Sequence, residues 1–354
     1  MKKLISAVIT LALAISLGAC ASSESSGGSA SPASAGGSAN DSASVASAAT
    51  KTYQIGFTTA AVENDPYFVF AQTFSDLVAE KTDGAIRINV MGGGQLGQER
   101  EMFEGMQLGT ADMAVMTNAY ASSFVPASGL FDLPFLFSDS TIAASILDGD
   151  IGQAVLNEYT GKGVTALAWG EGGFRHLVTM NNAVRMPDDF KGLKIRCMET
   201  ETYIATYSAL GTNAVPMAWA ETITGLQQGT IDGLDIPISV IYSNGFPDIA
   251  KYLNLTGHFY SPLLICVSNS IFNDLDETEQ QILRECAVEA GIKCRQNNAA
   301  VEESMLAEME EQGMTIVRDV DLAAFQAVLG DFYMNRADSI GGTYVEDLLA
   351  VING

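Results

Sequence analysis

The sequence predicts an α/β protein of two similarly built domains, with a ligand cleft between them and a long helix bracing both. Three observations lead to this fold class. Strand-like runs alternate with helix-like runs along most of the chain, one helix-turn-strand pattern recurs about 120 residues later, and a long charged helical segment lies in the C-terminal third. Such alternation is typical of a mainly parallel sheet with helices on its faces.

The first elements follow from hydrophobic periodicity. Apolar residues at helical spacing predict a helix over 66–81, which Thr82-Asp83-Gly84 ends. A second helix over 99–108 ends at Gly109, because glycine readily takes the left-handed conformation that follows a helix. The segments around these helices predict strands over 53–58, 86–91 and 111–116.

The segment GMQLGTAD at residues 105–112 is echoed by GLQQGTID at residues 225–232. Each copy predicts a helix that ends at a glycine and then a strand, over 111–118 and 231–237. The repetition favours two similar domains; chance similarity between two helix-turn-strand units is the alternative. Since ligands gather at the carboxyl ends of such strands, we expect Thr117-Asn118 and Asp235-Ile236 to face each other across a cleft.

The C-terminal third changes character. Residues 277–311 form a charged helical run that we expect to brace both domains, the alternative being an exposed amphipathic helix on one domain. Gly313 ends this run. A short strand over 314–317 and a further helix over 322–334 are predicted after it.

The N-terminus has the features of an export signal. Met1-Lys2-Lys3 precedes an apolar run over 4–17, and small residues lead to Cys20. The ending Leu17-Gly18-Ala19-Cys20 resembles a bacterial lipobox, which implies cleavage after residue 19 and a diacylglyceryl thioether, with fatty acids such as palmitate, on Cys20. The run is too short to span a membrane comfortably, which disfavours an uncleaved anchor.

The residues after Cys20 predict a tether. Of the 30 residues from Ala21 to Thr50, 24 are alanine, serine or glycine, so the stretch has almost nothing to bury. We therefore expect a flexible linker over 20–52 and a body lipid-anchored to the cell membrane on its extracytoplasmic side, periplasmic or at the cell surface.

Composition limits the partners and cofactors. The chain carries 18 basic and 42 acidic residues, a net charge of −24, which repels nucleic acid and anionic membrane surfaces but does not exclude a small carboxylate. The sequence lacks a C-x-x-C motif and any paired metal-ligand spacing of its two histidines. We expect neither cofactor nor metal, and we expect free buried thiols at the four cysteines after Cys20, which are Cys197, Cys266, Cys286 and Cys294.

No common catalytic signature is present in the sequence, neither a G-x-S-x-G nor an H-E-x-x-H nor a P-loop. The run Gly92-Gly93-Gly94 follows a predicted strand but lacks the spacing of a phosphate-binding loop, so it predicts a tight turn. The absence of such motifs favours a binding protein over an enzyme.

Several segments in order carry a family resemblance. They are Gly94-Gln95-Leu96-Gly97, Leu108-Gly109-Thr110-Ala111-Asp112-Met113, Gly173-Phe174-Arg175, Lys191-Gly192-Leu193-Lys194-Ile195-Arg196, Ala214-Val215-Pro216-Met217-Ala218-Trp219 and Gln228-Gly229-Thr230-Ile231-Asp232-Gly233. Together they closely resemble the solute-binding proteins of tripartite ATP-independent periplasmic (TRAP) transporters, the DctP family. The resemblance covers about residues 53–320.

The resemblance implies a periplasmic-binding-protein-like fold that closes on an organic acid, which the protein then hands to the membrane subunits of a TRAP permease. Domain I would comprise residues 53–172 and 262–301, and domain II residues 173–261 and 302–354. The protein would act as a monomer that delivers its ligand, without enzymatic activity.

The resemblance also implies site residues. Arg196 would clamp the ligand carboxylate, because a planar guanidinium offers two parallel charge-assisted hydrogen bonds. Arg175 would lie near the ligand or near Arg196, with an interdomain salt bridge as the alternative, and Trp219 would cover the apolar face of the ligand, with a core position as the alternative. His258 falls at a family position without an assigned role.

This chain departs from the family pattern at two positions. Ile236 replaces an asparagine that many relatives use for polar ligand groups, and Thr117 stands where sialic-acid-binding members carry a glutamate. Both changes favour a small mono- or dicarboxylate, or a keto or aromatic acid, over sialic acid. We expect Asp235 to orient an arginine or cap a strand. Thr58 and Asn118, each at the end of a predicted strand, complete the predicted ligand-binding set.

Two other functions remain open at this stage. A cleft with Arg175, Arg196, Asp235 and Glu221 could host an organic-acid lyase or isomerase, but neither histidine lies beside these residues in sequence to serve as a base. Alternatively, the protein could present its ligand to a membrane sensor instead of a permease.

Overall fold

The computed structural model describes residues 50–353, so the predicted export signal, Cys20 and nearly all of the predicted linker lie outside the described residues. The first strand already begins at Lys51 and therefore includes the last two residues assigned to the linker. One nine-stranded sheet forms the centre of the molecule. Its strands are β1 (Lys51–Gly56), β2 (Ile86–Met91), β3 (Met113–Thr117), β4 (Val164–Thr179), β5 (Lys194–Cys197), β6 (Asn213–Pro216), β7 (Gly233–Pro237), β8 (Tyr252–Ser268) and β9 (Thr315–Val317).

Helices cover both faces of this sheet. The α-helices are α1 (Pro66–Lys81), α2 (Glu99–Leu108), α3 (Asn118–Ala121), α4 (Ser140–Asp148), α5 (Asp150–Glu158), α6 (Pro187–Phe190), α7 (Glu201–Ala209), α8 (Trp219–Gln227), α9 (Ile238–Ser243), α10 (Asn269–Asp274), α11 (Glu277–Glu311), α12 (Leu322–Leu329), α13 (Phe332–Ile340) and α14 (Tyr344–Asn353). Three 3₁₀ segments lie at Pro126–Asp132, Tyr159–Lys162 and Phe246–Asp248.

The strand order has an internal symmetry. The strands lie in the order β2-β1-β3-β8-β4-β7-β5-β6, and β9 pairs with β8 outside this order. Reading the order backwards and exchanging β1, β2, β3 and β4 with β5, β6, β7 and β8 gives the same order again. Parallel pairing joins β2, β1 and β3 at one end and β6, β5 and β7 at the other. In the middle, the two long strands β8 and β4 pair antiparallel with each other, β8 also with β3 and β4 also with β7, whereas β9 lies parallel to β8.

The repeated segments at residues 105–112 and 225–232 also have the same local structure. Gly109 and Gly229 take left-handed conformations with φ of 74° and 69°. The Thr110 amide donates to the carbonyl oxygen of Gly105 at 2.8 Å, and the Thr230 amide donates to that of Gly225 at 2.9 Å. The echoed aspartates then act alike, because an Oδ2 of Asp112 accepts from the Gln54 amide and that of Asp232 from the Lys194 amide, both at 2.8 Å.

Two hydrophobic cores lie on the two faces of the sheet. Successive residues of β3 alternate between them, with Ala114 and Met116 in one core and Met113 and Val115 in the other. Such alternation follows from the twofold periodicity of a strand. Both cores also include residues of β4 and β8, so each core extends beneath both ends of the sheet.

The helix α11 braces the molecule, as predicted, and packs against α1, β4 and α9. Gly291 allows its close approach to the sheet, because a Cβ at this position would lie 2.2 Å from the carbonyl oxygen of Trp169. The bounds predicted for α1, α2, β2 and α11 are confirmed to the residue. One helix predicted over 322–334 is wrong: α12 and α13 replace it, since Gly330 breaks the helix with a φ of 48°.

The structure also shows the state of the cysteines, the length and polarity of the helices, and the grouping of possible metal ligands. Cys197, Cys266, Cys286 and Cys294 are buried free thiols, as predicted. Within residues 50–353, no helix is both long enough and apolar enough to cross a membrane, and no cluster of His, Cys, Asp and Glu side chains could hold a metal ion.

Candidate functional site

A small cavity lies where the carboxyl ends of β3, β5 and β7 meet. It encloses about 20 Å³, room for about one water molecule. Six of the eight predicted ligand-binding residues line it, namely Thr58, Thr117, Arg175, Arg196, Trp219 and Ile236. The strand ends Thr117 and Ile236 therefore share one cavity, whereas Asn118 and Asp235, which were expected to face each other with them, do not line it.

Arg196 is a buried guanidinium without a carboxylate partner among the described residues. It sits in β5, which places its side chain at the cavity, and only 2% of it is exposed. Nε and Nη2 donate to the carbonyl oxygen of Met217 at 3.0 and 2.8 Å, and Nη2 also lies 3.4 Å from the Tyr120 hydroxyl. These bonds fix the plane of the guanidinium but leave its charge unmatched.

Arg175, by contrast, has its charge matched inside the protein. In β4, its Nε donates to Oδ2 of Asp235 and its Nη2 donates to the Asp235 carbonyl oxygen at 2.7 Å. The guanidinium carbon also lies 5.6 Å from the centre of the Tyr203 ring. Burial alone would raise the pKa of Asp235, but the charge of Arg175, the field of His258 and the hydrogen bonds from Arg175 and Tyr207 together outweigh it and lower that pKa. The prediction that Asp235 orients an arginine is confirmed.

Apolar groups form one side of the cavity. Trp219 is the first residue of α8, and its ring packs 6.0 Å from the ring of Phe246 while it lines the cavity. Ile236 in β7 is 2% exposed. These two side chains can cover the apolar body of a ligand. Trp219 is half-buried and packs against one hydrophobic core from outside, so it is not the core tryptophan that was its alternative.

Hydroxyls and a carboxyl form the other side. Asp65 caps α1 and accepts from the Tyr67 amide at 3.1 Å, which holds Tyr67 at the cavity, where its hydroxyl lies 2.6 Å from the Thr117 hydroxyl. Glu99, the first residue of α2, accepts from the Thr117 amide through Oε1 at 2.5 Å. Burial raises the pKa of Glu99 to about 7, against the lowering effect of the Thr117 hydrogen bonds and the two arginines.

Asn118 and Asp235 are not among the cavity-lining residues. Asn118 is fully buried and donates through Nδ2 to the Ser128 carbonyl and to Asp132 Oδ1, each at 2.9 Å, while its Oδ1 accepts from the Ser128 hydroxyl. Its amide is thus occupied by the protein, and a ligand contact for Asn118 stays a prediction without geometric support. Asp235 acts behind the cavity, through Arg175.

His258 belongs to a buried polar network. Its Nε2 lies 2.7 Å from the Tyr207 hydroxyl and its Nδ1 lies 2.7 Å from the Thr256 hydroxyl. Burial lowers the pKa of His258 to about 4, and burial lowers that of His176 to about 3. Neither histidine lines the cavity, so neither offers a base to a bound ligand.

Sequence reasoning missed several cavity residues, of which Glu99 has the strongest chemistry. A signal was present, because Glu99 follows the Gln95-Leu96-Gly97 segment that supports the resemblance and begins a predicted helix. The other missed lining residues are Thr59, Tyr67, Tyr120, Met198, Pro237 and Val240.

A larger cavity of about 240 Å³ lies elsewhere, lined in part by Glu199, Thr200, Glu201 and Arg336. Here Arg336 Nη1 donates to Glu201 at 2.9 Å, so its charge is matched. The carboxylates of Glu199 and Glu201 in the wall of this larger cavity disfavour binding of an acidic ligand. The size of a cavity by itself does not identify a binding site. The smaller cavity with the unmatched arginine is therefore the stronger candidate for an anionic ligand.

Comparison with known proteins agrees with this geometry. The family model "Bacterial extracellular solute-binding protein, family 7" (DctP) matches residues 57–338. A solute-binding protein of Verminephrobacter eiseniae is 40% identical over 305 residues, which cover 85% of this chain and 90% of the relative. The 2,3-diketo-L-gulonate-binding periplasmic protein YiaO of Escherichia coli is 35% identical over 288 residues, 81% of this chain and 87% of the relative.

A solved structure is similar as well. The TRAP periplasmic solute-binding protein of Polaromonas sp. JS666, crystallised with D-erythronate, superposes with a TM-score of 0.81 at 34% sequence identity. The match covers 84% of this chain and 98% of that protein.

Proposed function

Because the chain belongs to bacterial extracellular solute-binding protein family 7, the DctP family of TRAP transporters, we propose that it captures a short hydroxy or keto monocarboxylate and delivers it to the membrane subunits of a TRAP permease. The chain is a solute-binding transport protein and not an enzyme. The observation that carries the ligand proposal is the buried, unmatched charge of Arg196 at the cavity wall.

A buried charge without a counter-charge is costly, so Arg196 calls for an anion. A carboxylate fits best, because it can accept two parallel hydrogen bonds from a guanidinium. Since Asp235 already matches the charge of Arg175, the cavity offers one net positive charge while Glu99 is protonated, and it then suits one ligand carboxylate.

The remaining walls favour a short ligand with a few polar groups. The cavity holds only about 20 Å³, so its walls must move apart to admit an acid. The hydroxyls of Tyr67, Thr117 and Tyr120 and the carboxyl of Glu99 can pair with hydroxyl or keto groups, whereas Trp219 and Ile236 offer only apolar contact. A bulky sialic acid would need more room and more polar partners.

The test is a thermal-shift panel. We expect D-erythronate, 2,3-diketo-L-gulonate, pantoate or a related short acid to raise the Tm, since a ligand at 100 times its Kd stabilises the folded state by about 2.7 kcal/mol. Erythritol, which has the same chain length as erythronate without the carboxylate, is the matched control and should leave the Tm unchanged. A response to sialic acid alone, or to no acid, would contradict the proposed ligand class.

We also propose that Cys20 carries a lipid that holds the protein at the outer side of the cell membrane. The export signal, the Leu17-Gly18-Ala19-Cys20 ending and the alanine-serine-glycine stretch support this. In cells that process lipoproteins, a Cys20→Ala variant is expected to leave the membrane fraction, whereas Cys286→Ala, which changes a buried thiol, should stay there. Equal membrane retention of both variants would contradict lipid anchoring through Cys20.

The domain division also remains a proposal. The symmetric strand order and the equivalent roles of Asp112 and Asp232 support two related domains, with residues 53–172 and 262–301 in one and 173–261 and 302–354 in the other. The long strands β4 and β8 would then cross between them, where Gly173 pairs with Ser261.

A further inference from the structure

Glu99 stands out as the only carboxyl that lines the arginine-containing cavity among the described residues. It is 4% exposed and forms no ion pair with Arg175 or Arg196 in the described structure. Its Oε1 accepts from the Thr117 amide, the Thr117 hydroxyl approaches the carboxyl and lowers its pKa, and within residues 50–353 no donor forms a well-aligned hydrogen bond to Oε2. A ligand carboxylate held by Arg196 would enter the same cavity, so two carboxyl groups would share one net positive charge.

The surroundings of Glu99 decide how these charges balance. Arg175 is neutralised by Asp235, which leaves Arg196 as the single unmatched cation of the cavity. Asp65 does not line the cavity, and its carboxylate accepts hydrogen bonds from the hydroxyls of Thr59 and Ser243. Glu99 also lines an adjoining cavity of about the same volume. The titratable and charged groups that face it in the two cavities are Tyr67 from α1, Arg100 from α2, Tyr120 from α3, Arg175 from β4, Arg196 from β5, and Glu199 from the loop before α7.

We propose that the protein binds its acid together with one proton, which Glu99 takes up from solvent. The inference rests on the proposed function. With Glu99 ionised, the filled cavity would hold two negative charges against one unmatched positive charge, whereas with Glu99 protonated the charges cancel. Two carboxylates in one desolvated site cannot both ionise cheaply, so the ligand raises the proton affinity of Glu99.

The proton on Glu99 can form a hydrogen bond to the bound ligand. A protonated carboxyl donates one hydrogen bond, and the unpartnered Oε2 can donate it to the ligand. Burial already raises the pKa of Glu99 to about 7 without a ligand, and a carboxylate bound in the same cavity raises it further, so that the carboxyl stays protonated in the complex at pH 8. Affinity should then fall by up to about tenfold per pH unit between pH 7 and the raised pKa of Glu99 in the complex, because the free protein must first regain the proton.

The experiment is calorimetry with D-erythronate, or with whichever panel acid gives the larger thermal shift, at pH 8 in Tris and in HEPES, two buffers whose ionisation enthalpies differ. The dependence of the binding enthalpy on the buffer should show uptake of close to one proton per ligand, and the uptake should vanish at pH 5.5, where free Glu99 already carries its proton. The Glu99→Gln variant, which keeps a neutral donor, should still bind the acid at pH 5.5 and should lose both the proton uptake and the fall in affinity above pH 7.

A buffer-independent enthalpy in the unaltered protein would overturn the inference, and so would proton uptake that persists in Glu99→Gln. Loss of binding by a folded Glu99→Gln protein at pH 5.5 would overturn it as well. Glu221→Gln, at a carboxyl outside the cavity lining, is the matched control and should keep the proton uptake. If no acid shifts the Tm, the proposed function itself fails; an acid that binds without a proton refutes only this inference.

Discussion

Replacing Arg196 with alanine is expected to abolish binding of the organic acid while the protein stays folded. The variant removes the one unmatched cation of the cavity and with it the charge-assisted hydrogen bonds to the ligand carboxylate. Loss of a hydrogen-bonded charge partner in a closed site costs roughly 2–5 kcal/mol, which corresponds to about 30-fold to several thousand-fold in Kd. Calorimetry with the acid selected in the thermal-shift panel measures the loss.

The controls separate this role from a general effect of charge. Arg196→Lys keeps the charge but cannot form two parallel hydrogen bonds, so it should recover only part of the affinity. Arg185→Ala removes an exposed arginine that pairs with Asp319 at 2.9 Å, and it should bind like the unaltered protein. Near-normal affinity of Arg196→Ala, with a normal circular dichroism spectrum, would refute the assignment of the carboxylate clamp.

Replacing Asp235 with alanine is expected to destabilise the fold strongly. Asp235 and Arg175 are 0% and 2% exposed, and the variant leaves the guanidinium buried without its counter-charge. Removal of one partner from a buried ion pair costs roughly 3–5 kcal/mol. Urea unfolding of the two proteins measures the difference in the free energy of unfolding. Since the folded pKa of Asp235 is lowered, the contribution of the pair is present above the unfolded pKa of about 4 and is lost as the pH falls through the folded value.

Two further variants make this prediction specific. Asp319→Ala breaks an exposed pair with Arg185 and should change the free energy of unfolding by less than about 1 kcal/mol. The double variant Arg175→Met with Asp235→Leu removes both charges and should regain most of the lost stability, because apolar residues of similar volume can replace a buried pair. If Asp235→Ala costs no more than Asp319→Ala, the buried pair does not have the role assigned to it here.

The sequence by itself determined the elements that depend on local patterns. The bounds of α1, α2 and α11 follow from helical periodicity and from terminating residues such as Gly109, so they could be predicted to the residue. The family motifs predicted Arg196 and Arg175 at the ligand site, and both side chains line one cavity. The echo of residues 105–112 at 225–232 also predicted the symmetry, because the same local hydrogen bonds recur in both copies.

Only the tertiary structure decided what depends on long-range packing. The strands β4 and β8 are almost entirely buried on both faces, so they lack the alternation that reveals a strand, and their antiparallel pairing was not foreseen. Asn118 begins a helix directly after β3, and this turn carries its amide away from the cavity that Thr117 reaches. The proton affinity of Glu99 depends on desolvation by elements from distant parts of the chain, a quantity that no local pattern of residues encodes.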